Sequence, residues 1–73
     1  MNNEQKLLAA LKERCQSLIK DGYTIIYSAN GIGWVYYKLR HTNGNYVSLH
    51  AMLEYNRIVQ RTNGLIVHDE KVC

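Results

Sequence analysis

The stretch "SANGIGWVYYKLRHTNGNYVS", residues 28–48, is the most informative part of the sequence, because aromatic and aliphatic residues run between two Asn-Gly pairs. Asn-Gly tolerates positive φ at both central positions of a two-residue hairpin turn. The run between the pairs has the β-branched and aromatic composition typical of a strand. The sequence therefore predicts turns at Asn30-Gly31 and Asn43-Gly44, and a meander of three antiparallel strands over residues 23–29, 32–41 and 45–49.

Residues 3–20, which precede the meander, predict an amphipathic helix. Its apolar residues recur at spacings of three and four, which gives one apolar stripe: Leu7, Leu8, Leu11, Cys15, Leu18 and Ile19. Asn2 or Asn3 can cap its start, and Gly22 follows its last turn as a left-handed C-terminal cap.

A second helix is predicted over residues 50–61, and Asn63-Gly64 would end it. Its apolar positions would be Met52, Leu53, Tyr55, Ile58 and Val59. Residues 65–73 then form either a short strand or an extended tail that docks on a helix. The prediction is a single α+β domain over residues 1–73, a two-layer sandwich in the order α-β-β-β-α-β, with frayed ends at 1–3 and 69–73.

Length and composition limit the class of protein. Seventy-three residues allow one domain. An apolar share of 47% with 21% charged residues argues against a disordered chain.

The two cysteines are expected to be a reduced core thiol, Cys15, and a tail thiol, Cys73. A reducing cytoplasm fits that expectation. The first 20 residues have the pattern of neither a signal peptide nor a membrane span, so no membrane partner is expected.

The faces of the predicted sheet give the first hypothesis on function. If Asn30-Gly31 is the loop, Tyr27 lies opposite Trp34 and Ile25 opposite Tyr36, and both helices are expected to pack on that aromatic side. The other side would still be apolar, with its exposed centre at Ile26, Val35, Tyr37, Leu39 and Tyr46. Its cover would be the C-terminal segment, a second copy of the chain or a foreign protein. This reading predicts a non-catalytic interaction or regulatory module, as a homodimer or with a protein partner.

Nucleic-acid binding is the alternative hypothesis, because the chain is basic, with net charge +3. Five basic side chains that lie near the second predicted turn or follow it could neutralise phosphates, and neighbouring tyrosines could stack on bases. The five basic residues are Lys38, Arg40, His41, Arg57 and Arg61. The predicted order of helix, three strands and helix is similar to that of double-stranded-RNA-binding domains. The resemblance is confined to topology. The stretch "HAMLEYNR" replaces that family's lysine cluster, and the chain has no Pro for its Gly-Pro loop.

No catalytic, metal-binding or cofactor motif is predicted. His41, His50 and His68 do not match a zinc spacing, and no Cys-x-x-Cys is present. Cys15 with His50 would be the one conceivable nucleophile and base, but a thiol on a buried helix stripe should be inert. Small stand-alone chains of this kind are typical of mobile elements and prophages.

Overall fold

A computed structural model, which describes residues 2–72, shows one helix followed by an antiparallel sheet of five strands. The elements are α1 (Asn3–Lys20), β1 (Tyr23–Gly31), β2 (Trp34–His41), β3 (Tyr46–Met52), β4 (Arg57–Thr62) and β5 (Leu65–Lys71). Each strand pairs with the next, so the spatial order equals the chain order. The α+β class is confirmed, but the second helix and the three-stranded meander are not.

Helix α1 forms as predicted. Asn2 caps it through a reciprocal pair of hydrogen bonds: the Gln5 N–H donates to Asn2 Oδ1 at 2.8 Å, and the Asn2 N–H donates to Gln5 Oε1 at 3.2 Å. Gly22 follows the helix with φ of 102°, and its N–H donates to the Ile19 carbonyl. Leu7, Leu11 and Cys15 are buried along one stripe at a spacing of four.

The predicted helix over 50–61 is wrong, because this segment forms the end of β3, a turn and β4. Asn56 adopts a left-handed φ of 50° within the turn, and this breaks helical periodicity. Ile58 then lies directly opposite Ala51, and both residues are fully buried. Strand pairing buries these residues under α1, whereas the apolar spacing alone is compatible with a helix. Without a second helix, the topological similarity to double-stranded-RNA-binding domains is lost.

The first hairpin turn lies two residues later than predicted. Asn30 and Gly31 belong to β1, Gly31 pairs with Trp34, and the turn is Ile32-Gly33. An irregularity in the pairing between Ile25 and Tyr27 leaves Ile26 without a partner. Because the turn is shifted by two residues, Tyr27 lies opposite Lys38 instead of Trp34. Asn63-Gly64, which was expected to end a helix, is the two-residue turn between β4 and β5, with φ of 51° and 87°.

The prediction of which sheet face the helix covers is also wrong. In β2, α1 lies over the side that carries Val35, Tyr37 and Leu39, and Leu39 is fully buried. We call this side the covered face; it also includes Leu49, Ala51 and Ile58 of the core. The opposite side, which we call the open face, carries Trp34, Tyr36, Lys38 and Arg40 of β2, together with the residues that pair with them. No segment of residues 2–72 packs as a second layer on the open face.

The C-terminal segment extends the sheet at its edge, in agreement with the strand alternative. Arg14 of α1 joins this segment to the helix by a 2.9 Å hydrogen bond to Glu70 and a 3.0 Å contact with His68, and it also donates to Gln60 of β4 at 3.2 Å. Val72 packs against the core. β5 ends at Lys71, so it includes the first three residues of the segment that was expected to fray from residue 69; Cys73 lies outside the described residues.

Candidate functional site: the open face of the sheet

The open face is a patterned surface of aromatic and basic side chains. The strand registers place eighteen residues on it. In strand order they are Thr24, Tyr27, Ala29 and Gly31; Trp34, Tyr36, Lys38 and Arg40; Tyr46, Ser48, His50 and Met52; Arg57, Val59 and Arg61; and Ile66, Asp69 and Lys71. Because side chains alternate along each strand, residues two apart stand beside each other on this surface.

Four aromatic rings form a cluster where β1, β2 and β3 meet. Ring centroids are 6.1 Å apart for Tyr27 and Tyr36, 6.1 Å for Tyr36 and His50, and 6.3 Å for Trp34 and His50. Each pair packs edge to face, as the quadrupoles of aromatic rings favour. The four rings and Ala29 line a shallow, mostly apolar concavity, which we call the aromatic site.

Gly31 leaves room for the indole ring of Trp34 close to the backbone of β1. Gly31 pairs directly with Trp34, and a Cβ at position 31 would lie 2.5 Å from the indole Nε1. Any larger residue would therefore displace the ring. The exposed fraction of Trp34 is 37%, so part of the indole remains accessible. Trp34 is the single tryptophan of the chain.

Basic side chains lie beside the aromatic site along the same strands. Lys38 Nζ is 5.0 Å and Arg40 Cζ is 5.4 Å from the centroid of the Tyr46 ring, so two cations flank one aromatic ring. Lys38 and Tyr46 also line a second groove with Tyr36 and Arg61. Since Tyr36 borders both the groove and the aromatic site, the two are adjacent.

Charge is distributed unevenly between the two sides of the molecule. Five of the nine Lys and Arg residues lie on the open face, with one of the six Asp and Glu residues. The open face therefore carries a net charge of +4, and the rest of the chain carries −1. The one acid, Asp69, pairs with Arg57 at 3.0 Å. Lys38, Arg40, Arg61 and Lys71 form no ion pair with an acidic side chain among residues 2–72.

The five residues of the first hypothesis do not form one surface. Leu39 is fully buried, and Val35 and Tyr37 are partly buried against the same core under α1. These three side chains cannot be presented to a partner unless the helix moves away. Ile26 is half exposed at the irregularity in β1. Tyr46 lies opposite Arg40 on the open face, across the sheet from Leu39.

Four of the five residues of the second hypothesis lie together on the open face: Lys38, Arg40, Arg57 and Arg61. His41 lies on the covered face, where its Nδ1 accepts from the Asn43 N–H at 3.0 Å. Its Nε2 then carries the proton and donates to the Asp21 carbonyl at 3.1 Å. His41 thus joins the loop after β2 to the end of α1, and does not belong to the basic surface.

The conceivable catalytic pair is separated by the sheet, since Cys15 lies under the covered face and His50 on the open face. Burial raises the pKa of the Cys15 thiol, which further disfavours the reactive thiolate. Within residues 2–72, no group of three or more His, Cys, Asp or Glu side chains could hold a metal ion.

Tyr27, Trp34 and Tyr36 are not among the site residues expected from the sequence, and His50 is considered there only as a base for Cys15. The signal was present, because Trp34, Tyr36, Lys38 and Arg40 alternate along β2 and so share one face. Both faces of β2 are rich in apolar residues, so the pattern does not show which of them the helix covers. The more aliphatic side is covered, and the mixed aromatic and basic side is open.

Comparisons with protein-family models, curated proteins and solved structures found no match to this chain. No helix within residues 2–72 is both long and apolar enough to cross a membrane.

Proposed function

We propose that the chain is a non-catalytic module that binds nucleic acid on the open face of its sheet. The observation that carries this proposal is the concentration of positive charge, +4 on this face against −1 elsewhere, among exposed aromatic rings. Lys and Arg neutralise phosphates and so release the counterions condensed on a nucleic acid. This release supplies most of a protein's nonspecific affinity for nucleic acid. The cytoplasmic location favoured by the sequence, where nucleic acid is available, belongs to this proposal.

A titration at two salt concentrations tests the proposal. A labelled oligonucleotide of mixed sequence, as DNA and as RNA, is titrated with protein at about 50 and 200 mM salt, and fluorescence anisotropy is read. We expect binding at micromolar protein that weakens as salt rises, because each neutralised phosphate contributes about −0.7 to −0.9 to the slope of log K against log salt. Absence of salt-dependent binding to either oligonucleotide would overturn the proposal.

Paired variants locate the binding surface. Lys38→Gln with Arg40→Gln should weaken binding and reduce the size of the salt slope by about 1–2, because two phosphate contacts are lost. The control removes two exposed cations from α1, by Lys12→Gln with Lys20→Gln. It changes net charge by the same amount and should leave the slope close to that of the wild type. Equal losses in both pairs would show that net charge alone is responsible, which contradicts a binding surface on the open face.

Self-association is a second candidate, favoured by a different feature. The edge strand β5 begins with three consecutive exposed aliphatic residues, Leu65, Ile66 and Val67. No strand of residues 2–72 pairs with its outer edge. A free edge with apolar side chains is a template for pairing with another strand. This candidate uses the edge of the sheet, so both activities could occur in one molecule.

A further inference from the structure

We infer that the aromatic site holds an unpaired nucleobase, so that the protein selects single-stranded over double-stranded nucleic acid. This inference rests on the proposed function and extends it to a ligand class and a named site. The site consists of Tyr27, Trp34, Tyr36 and His50, with the groove past Lys38 as the path of the adjoining phosphates.

The shape of the sheet argues against binding in the groove of a duplex. Five strands at a spacing of about 4.8 Å make a face about 19 Å wide, whereas the B-DNA major groove is only about 12 Å wide and admits a helix or a two-stranded ribbon. The aromatic residues stand on the body of β1, β2 and β3 and not on a protruding hairpin. They therefore cannot reach base edges at the floor of a groove while the rest of the sheet stays outside.

The chemistry of the site points to base faces. Tyr27 has an exposed fraction of 57% and Trp34 of 37%, so a planar ligand can reach their rings. In a duplex the bases are stacked on one another and their faces are not available. In a single strand they can turn outwards and stack on aromatic side chains. The rings line one shallow, mostly apolar depression that is open to solvent, so a base can lie against several of them at once.

The neighbouring cations fit the backbone of the same strand. Lys38 follows Tyr36 by one position on the same face, about 6.6 Å along β2. Lys38 and Arg61 line the groove that adjoins the aromatic site at Tyr36. A base in the aromatic site therefore has positive charge within reach of its own or the next phosphate. Aromatic rings beside a basic groove are the combination that single-strand binding requires.

Three ligands of equal length test the inference: a single strand of 12 nucleotides, its duplex, and a strand of 12 abasic sugar phosphates. The readouts are anisotropy and quenching of the Trp34 fluorescence. Wild-type protein should bind the single strand most tightly and the abasic strand about five- to a hundred-fold more weakly, as expected for the loss of one stacked base. Fluorescence quenching should accompany only the single strand.

Variants assign the effect to the site. Tyr36→Ala and Trp34→Ala should each weaken single-strand binding by a similar factor, while leaving the affinity for the abasic strand nearly unchanged. Tyr36→Phe keeps the ring and should keep the affinity. Tyr55→Ala removes an exposed tyrosine from the turn between β3 and β4 and is the matched control. Far-ultraviolet circular dichroism checks that each variant is folded.

The outcomes distinguish the two claims. Salt-dependent binding with equal affinity for single strand, duplex and abasic strand, and no effect of Trp34→Ala or Tyr36→Ala, would overturn the inference and leave the proposed function intact. Tighter binding to the duplex than to the single strand would also overturn the inference and leave the proposed function intact. Failure to bind any of the three ligands at low salt would overturn the proposed function itself.

Discussion

At the scale of single residues, β2 shows how one strand serves two purposes. Its residues alternate between Val35, Tyr37 and Leu39, which pack under α1, and Trp34, Tyr36 and Lys38, which stand on the open face. The alternation itself can be predicted from the sequence, since it follows from the geometry of a strand. Which of the two sets faces the helix cannot be predicted, because tyrosines occur on both sides and either set is apolar enough to form a core.

Truncation of Leu39 tests this assignment directly. Leu39→Ala removes a fully buried side chain from the core and should lower the free energy of unfolding by about 2–5 kcal/mol. Ile26→Ala is the matched control. Because Ile26 is half exposed, this substitution should lower the free energy of unfolding by less than about 1 kcal/mol. Urea denaturation followed by circular dichroism gives both values. If both substitutions lowered the free energy of unfolding by a similar small amount, the placement of Leu39 beneath the helix would be contradicted.

At the scale of elements, local signals predict some features and fail at others. The first helix is predictable because its cap, its apolar stripe and its terminal glycine all agree. The first Asn-Gly pair fails as a turn signal because strand pairing extends to Gly31, and the turn falls at Ile32-Gly33. The helix predicted over residues 50–61 is wrong because their apolar spacing suits both a helix and two paired strands. Only the burial of Ile58 opposite Ala51 decides between these two structures.

The free edge of β5 leads to a prediction on assembly. Light scattering should show a mass above the 8.5 kDa of one chain as protein concentration rises, because Leu65, Ile66 and Val67 would be covered by a second copy. Ile66→Lys places a charge on that edge and should restore the monomer mass.

Ile32→Lys is the control for β5, since Ile32 is fully exposed at the tip of the first hairpin and the exchange is the same. It should leave the mass unchanged relative to wild type. A wild-type mass of 8.5 kDa at every concentration would remove self-association from consideration.

At the scale of the whole molecule, the two sides of the sheet have different tasks. The covered face and α1 supply the core, and Arg14 fixes the helix to β4 through Gln60 and to β5 through Glu70. The open face therefore need not contribute its aromatic rings to folding, and it holds the excess of positive charge. The sequence predicts a basic chain with cations near β2, but gathering Arg57 and Arg61 onto the same face depends on the β3–β4 pairing.

Binding to the open face can be observed directly by mapping amide chemical shifts with nuclear magnetic resonance while a single-stranded oligonucleotide is added at low salt. We expect the largest changes in β2, β3 and β4 and at the Trp34 indole N–H, with small changes along α1. Changes centred on α1, or no change at saturating oligonucleotide, would contradict binding to the open face.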